Sequence, residues 1–378
     1  MKTRSAAVVV VGDLARSPRM VNHARELARC GFRVWLVGYR DREFAVPEGV
    51  LVRALHWPRN RNGPAGWSLP RAGLRMGWAL FDLLAVVLRL RPDTILVQNP
   101  PAFPTLLAAW IGSRMVRARF VLDWHNYGYS MLALRLGRDH WITRIAARYE
   151  AFGARRASHH FCVSEAMRQD IERAFGLNAR VLYDLPMQWA AGSLADGEAG
   201  IVVCPSGWTA DEDMDLLLDA LRMLGPGRFE FHLTGDGPTR RGLEPRIQEL
   251  RNAGTAIHLG FLEERDYRAL LNRALIGLSL HCSSSCLDLP MKIVDLLGAG
   301  VPVCALDYGP VLREQVREGE TGLFFRTAAE LAELLCRLQA QPALALHMRD
   351  CVRKQRNTTW PVEWRRVAGP VIGVSDAA

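Results

Sequence analysis

"HCSSSCLDLPMKIVDLLGAGVPVCA", residues 281–305, reads as a strand end, a polar loop, a helix and a second strand in immediate succession. The residues on either side extend both strands, as "IGLSLHCS" before and "VPVCAL" at the end, apolar runs of strand length. Pro290 suits a helix start because its missing N–H costs nothing there, and the helix is expected over Met291–Gly298. Two apolar strands joined through a helix lie parallel in one sheet that helices cover on both faces.

The same alternation fills nearly the whole chain, the mark of stacked βα units. Further strands are expected at "AAVVVVGD", "RVWLVGY", "VLVRALH", "TILVQNP", "RFVLDWHN" and "HHFCVSE", then at "GIVVCPSG", "FEFHLTGDG" and "AIHLGF". Helices are expected over Pro18–Gly31, Ala102–Val116, Thr143–Arg156, Asp213–Leu224 and Glu264–Arg273. At 378 residues the chain exceeds what one core usually supports. The pattern restarts after "AAGSLADGEAG" (190–200), a linker by composition. The expected architecture is α/β, with two doubly wound Rossmann-like domains, 1–189 and 201–352, facing a deep cleft. The tail, 353–378, contains "RKQRNTTWPVEWRRV" and is expected to cross back to the first domain.

The net charge of +9 is uneven: residues 1–180 carry 28 basic and 13 acidic side chains, and residues 181–378 carry 20 and 26. Such asymmetry points to different partners for the two halves, a basic one suiting anionic lipid or a phosphorylated substrate, although a solvated arginine-rich surface gives the same count. The basic residues are dispersed and no aromatic–basic reader motif accompanies them, which argues against nucleic acid. Eight scattered cysteines, none in a CxxC pair, read as free thiols of a reducing compartment. His281, Cys282 and Cys286 lack a second ligand pair for zinc, and neither a tightly bound metal nor a cofactor is expected. No signal peptide or stop-transfer run stands at the N-terminus. "RAGLRMGWALFDLLAVVLRLRPD" (71–93) is broken by Asp82 and too short to span a bilayer. It suits either a helix lying on an anionic membrane or a crossover helix packed on the sheet. The expected location is cytoplasmic, peripheral on the inner face of the membrane.

Lys292, one of only three lysines, falls in the first turn of the helix after Pro290. Free N–H groups, the helix dipole and hydroxyls from Ser283, Ser284 and Ser285 make that end an anion site. Asp295 lies one turn on, on the same face. A diphosphate held by Lys292 and a ribose diol held by Asp295 explain the arrangement, with Asp288 and Leu289 in the same donor loop; a solvated helix with Asp295 as surface partner of Lys292 has the same spacing. Gly235 and Gly237 in "LTGDGPTR" either admit a nucleotide or make a tight turn. Thr209 and the following acidic residues look like a helix cap. In "GDLARSPRM", Ser17-Pro18 opens a helix, Gly12 lets a ligand approach the backbone, and Arg16 or Arg19 either holds an acceptor diphosphate or faces solvent.

Four stretches carry a family likeness: "GDLARSPRMVNHARELARCGF" (12–32), "QNPPAFPTLLAAWI…VLDWHNYGYS" (98–130), "SGWTADEDMDLLLDAL" (206–221) and "SSSCLDLPMKIVDLLGAGVPV". In that order they resemble the chitobiosyldiphosphodolichol β-mannosyltransferase family of GT-B glycosyltransferases. The resemblance covers most of the chain. It implies transfer of mannose from GDP-mannose to a lipid-linked sugar diphosphate with inversion and without a tightly bound metal, and it makes Trp208 and Thr209 donor-site neighbours. Eukaryotic members carry a membrane anchor before the "GD" strand, where this sequence has eleven residues, so a bacterial peripheral enzyme with an undecaprenyl-type acceptor is expected. Leu287 stands where retaining relatives of the wider class carry a glutamate, consistent with inversion.

Inversion needs a general base. Asp123 and His125, two apart on an extended segment, share a side. Asp123 is expected to accept the proton with His125 as its orienter, the reverse assignment and a helix-capping role for Asp123 remaining open. Asp13 is the next candidate, and Asn126 and Tyr127 fall on the acceptor side. Competing readings are a transferase using a UDP-linked sugar, a nucleotide-sugar isomerase, and a non-catalytic nucleotide-sugar sensor.

Overall fold

The structure, a computed structural model, describes residues 3–56, 69–189, 200–227, 229–355 and 358–374, with the backbone alone over 69–75. It comprises two compact units, Met1–Tyr183 with Pro361–Ala378, and Asp184–Trp360. The linker expected at 190–200 lies outside the described residues except for Gly200.

The first unit holds seven strands: β1 (Ser5–Asp13), β2 (Arg33–Tyr39), β3 (Val50–Ala54), β4 (Thr94–Asn99), β5 (Arg119–Trp124), β6 (His159–Cys162) and β7 (Ala179–Val181). They form a parallel sheet in the order β3-β2-β1-β4-β5-β6-β7. Ala6 to Val9 of β1 have no exposed surface, because a central parallel strand covered on both faces needs an apolar side chain at every position. The second unit repeats the plan with β8 (Ile201–Pro205), β9 (Glu230–Thr234), β10 (Ala256–Gly260), β11 (Ile276–Ser279), β12 (Val303–Leu306) and β13 (Gly322–Phe325). Its parallel order is β10-β9-β8-β11-β12-β13. The order reverses between β1 and β4 and between β8 and β11, the places where such sheets bind ligands beyond the strand C-terminal ends.

Helices Met291–Gly298 and Glu264–Arg273 lie where the spacing puts them, and Pro18–Arg29, Thr105–Val116 and Trp141–Ala154 shift by a few residues. Two expected caps differ. The Ser17 hydroxyl donates to the Asp13 carbonyl at 3.2 Å rather than capping Pro18–Arg29. Asp213, not Thr209, caps Met214–Leu224 by accepting from the Leu216 N–H at 3.0 Å.

Residues 71–93 fall in helix Leu69–Leu90, the crossover between β3 and β4, which packs along helix Thr105–Val116. Ala79, Leu83, Val86 and Val87 are buried on its inner face, while Met76, Trp78 and Phe81 are exposed. Asp82 accepts the His56 N–H at 2.6 Å, and Trp78 Nε1 donates to the His56 carbonyl at 2.9 Å. Among the described residues no helix is long and apolar enough to cross a membrane.

The segment after Trp360 returns to the first unit. Trp364 is fully buried, its Nε1 donating to His23 Nδ1 at 2.8 Å, and Arg119 and Arg4 donate to the carbonyls of Val371 and Gly373.

Candidate active site

In the second unit three loops converge beyond the strand ends. The segment after β8 pairs with the segment after β11 through a Glu212–His281 bridge, reinforced by Asp213 N–H to Leu280 O at 3.0 Å and Cys282 N–H to Asp211 O at 2.7 Å. The turn after β9 packs on the first of these, and only glycine fits it. Gly235 has φ +98° and a Cβ there would sit 1.9 Å from the Ser206 carbonyl oxygen; one on Gly237 would sit 2.0 Å from that of Gly207.

This convergence gives Lys292 its partner. Its ammonium pairs with Glu212, whose other oxygen accepts from the Ser206 hydroxyl at 2.6 Å and whose paired oxygen accepts from the Gly207 N–H at 3.2 Å. Pro290 occupies the N-cap position of Met291–Gly298 and no side chain caps it, so a charged group and an uncapped helix start adjoin. Asp295 is exposed, yet the protein crowded about its carboxyl pushes it up to about 6.

His281 lies between two carboxylates, with Nδ1 3.3 Å from Asp211 and Nε2 3.0 Å from Asp288. Burial alone lowers its pKa, but the two carboxylates prevail and raise it to about 9, so the imidazole is a cation at neutral pH. Its folded pKa exceeds the unfolded one near 6.5, so its stabilisation is complete below that pH and is lost as pH rises through about 9. Urea unfolding at pH 6 and pH 9.5 should therefore show up to about 3 kcal/mol more loss in the parent than in His281→Gln. Equal pH dependence in the two proteins would disprove the assignment.

In the first unit a second cluster surrounds Asp123 at the end of β5. Arg19 grips it bidentately, Nε and Nη2 each 2.8 Å from a carboxylate oxygen, and donates from Nη1 to the Leu182 carbonyl at 2.8 Å. His23 Nε2 is 3.2 Å and His125 Nε2 2.8 Å from Asp123 Oδ2. Burial would raise the Asp123 pKa, but Arg19 and then His125 hold the carboxyl well below the usual carboxylate range. Burial keeps His23 neutral, and Trp364 donates to its Nδ1, so its one proton is on Nε2 facing Asp123. An ionised Asp123 likewise orients His125 to donate from Nε2 and to carry a lone pair on Nδ1. Asp123 has no exposed surface, whereas the His125 side chain is 21% exposed.

Residues 17–183 match the family described as "Glycosyl transferase 4-like domain", and residues 199–341 match "Glycosyl transferases group 1". A Yarrowia lipolytica chitobiosyldiphosphodolichol beta-mannosyltransferase is 32% identical over 99% of this chain and 88% of its own length, and the mouse protein of that name is 31% identical over 99% and 90%. The chain belongs to the chitobiosyldiphosphodolichol beta-mannosyltransferase family. The Arabidopsis thaliana "UDP-glycosyltransferase TURAN" is also 32% identical, over 98% of this chain and 97% of its own. In fold the chain is similar to a Thermosynechococcus elongatus sucrose-phosphate synthase (TM-score 0.75, 15% identity, 98% of each chain). It is similar also to Anabaena Alr3699/HepE in complex with UDP-glucose (TM-score 0.72, 18% identity, 98% of this chain and 99% of the other). The protein is thus a glycosyltransferase of GT-B fold.

Several expected site residues of this glycosyltransferase are committed elsewhere. Arg19 is 2% exposed and engaged by Asp123, so it cannot hold an acceptor diphosphate; Arg16 is exposed. The Ser283 and Ser285 hydroxyls donate to Asp288, with Ser285 at 3.4 Å, rather than facing an anion, and Ser284 lies partly buried between them. Asp288 organises this turn and His281, and Leu289 is buried beneath it. Trp208 adjoins the glycine turn, but its ring is wholly buried in the core. Thr209 is hydrogen bonded to Asp211. Tyr127 is 1% exposed and donates to Asp170 at 2.8 Å, so it braces the scaffold; Asn126 Oδ1 accepts from the Tyr127 N–H at 2.7 Å. Asp13 accepts from the Ala15 N–H at 3.3 Å and caps a short turn. A Cβ on Gly12 would make only an ordinary contact, 3.5 Å from Val10 Cγ1, so the fold itself does not require glycine there.

His23, Glu212 and Glu150 belong to these clusters without standing out in the sequence. Glu150 is fully buried and accepts from Asn99 Nδ2 at 2.5 Å and from the Gly128 and Tyr129 N–H groups at 3.1 Å, tying down the loop after β5. His23 had a signal: it stands four residues after Arg19, on the same helix face.

Proposed function

We propose that the protein transfers mannose from GDP-mannose, with inversion, to a polyprenyl-diphosphate-linked saccharide. The names of its relatives near 30% identity support the sugar and the acceptor class, and the oriented, partly exposed His125 supports a general-base route. In this scheme His125 Nδ1 takes the proton of the acceptor hydroxyl and Asp123 stabilises the resulting imidazolium. The hydroxyl oxygen bonds to the anomeric carbon as the bond from that carbon to the diphosphate breaks. Lys292 meets the charge that collects on the departing diphosphate, and Asp295 accepts from the ribose diol. No metal is assigned to the step.

The deciding experiment incubates purified protein with GDP-mannose and a polyprenyl-diphosphate chitobiose, and digests the product with linkage-specific mannosidases. A β-linked product is expected; free mannose, an isomerised nucleotide sugar, or an α-linked product would overturn the reading. A UDP-linked donor is the second reading, favoured by the Arabidopsis relative's name, and calorimetry with GDP and UDP separates the two. Lys292→Met should weaken nucleotide diphosphate binding by about 1.5–3 kcal/mol, roughly ten- to over a hundredfold. Because Glu212 would be left buried and charged, the change is made in a Glu212→Gln background; unchanged affinity there refutes the role of Lys292.

A lipid-linked acceptor brings the enzyme to a membrane surface. Exposed Met76, Trp78 and Phe81 on helix Leu69–Leu90, with Arg89 and Arg91 farther along, support docking on anionic lipid through the first unit. Co-sedimentation should rise with the anionic fraction of the vesicles and fall with salt; indifference to both would refute it.

A further inference from the structure

Away from the donor loops, the outer edge of the second sheet carries three side chains aimed at one point. Register sets His232 of β9 directly beside His258 of the edge strand β10, and Glu230 lies two residues before His232, so all three share one face. The two imidazoles stack with centroids 4.6 Å apart and planes 16° from parallel. Both Nε2 atoms converge on one oxygen of Glu230, His232 at 2.7 Å and His258 at 3.2 Å. The three potential ligand atoms lie within 4.8 Å of one another. The site is open to solvent, the side chains being 19% (His232), 44% (Glu230) and 56% (His258) exposed.

Two imidazoles and a carboxylate with a common focus form a donor set for a borderline transition metal rather than for magnesium or calcium, which prefer oxygen ligands. We propose that Glu230, His232 and His258 bind one first-row divalent transition-metal ion, such as zinc or nickel. The ion takes the focus now closed by the His232–Glu230 hydrogen bond and the close approach of His258. Each neutral imidazole then carries its proton on Nδ1 and offers Nε2, the rings turn out of parallel to bring the ion into both planes, and water fills the remaining positions. Glu230 opens β9, whereas the glycine turn of the donor site follows its far end. The ion therefore clamps β10, paired on one side only, to β9 without meeting the sugar.

The test uses the full chain, free of any affinity tag and stripped with chelator. It is titrated with Co²⁺ by absorbance and with Zn²⁺ by calorimetry. One equivalent should bind with the weak visible bands of nitrogen and oxygen ligands, and Zn²⁺ should raise the melting temperature. His258→Ala, at an exposed position, should fold like the parent in the absence of metal, weaken binding at least tenfold and abolish the thermal shift; Glu230→Gln should weaken it less. Full binding by His258→Ala, no binding by the parent, or an intense thiolate–cobalt band that Cys286→Ser removes would each overturn the proposal.

Discussion

His125→Ala should lower the transfer rate by about 10²–10⁴ while leaving nucleotide affinity and the urea midpoint close to those of the parent. The separation follows from where the side chain stands. It touches the buried cluster through a hydrogen bond from Nε2 to Asp123 at 2.8 Å, is partly exposed, and has no part in the pairing of Lys292 with Glu212. Removing it takes away the proposed proton acceptor but leaves Asp123 held by Arg19 and His23. Single-turnover rates and calorimetric binding of nucleotide, measured on the same preparation, check both halves of the expectation. Transfer within a few-fold of the parent would place the base elsewhere, with Asp13 the next residue to vary.

Asp123→Ala should behave in the opposite manner, costing about 3–5 kcal/mol of stability before any question of rate arises. Arg19 is 2% exposed, and without the carboxylate its guanidinium loses two charge-assisted hydrogen bonds. Breaking a buried ion pair by removing one partner costs more than the pair stabilises, because the attraction that offset the desolvation of the cation is lost. His23 loses its acceptor as well. Denaturant titration measures the loss, and Asp123→Asn, which keeps one acceptor oxygen, should fall between parent and alanine variant. A midpoint unchanged in Asp123→Ala would mean that Arg19 is satisfied without this carboxylate and would overturn the expectation.

The sheets were legible at the central strands, since β1 and β8 carry runs of apolar residues and β4 contains Ile95-Leu96-Val97. β7 and β13 escaped at the sheet edges, β7 being only three residues long and β13 following a polar run without a flanking apolar extension. In the site, Lys292 could be found from Pro290 and the helix start because the information is local. Its partner Glu212 could not, being eighty positions away and brought in by the bridge between Glu212 and His281. Arg19 was misread for a related reason. A charged residue on a helix suggests solvent, yet Arg19, His23 and Glu26 recur at intervals of four and three on the face that also buries Met20 and Leu27. That recurrence marks a buried polar face, where Arg19 and His23 meet Asp123 and Glu26 pairs with Arg29, and it is visible only when charged residues are included in the helical period.

Trp364 lies in the segment that rejoins the first unit after the whole second unit has been made. On a ribosome, β1 to β7 can emerge and pair while the indole that fixes the proton of His23 does not yet exist. Domains tend to fold in order of synthesis, but this one waits for its last part until some 180 further residues have been translated. The Asp123 cluster is therefore completed only late in synthesis, and a chain stalled within the second unit carries His125 without the finished charge network behind it.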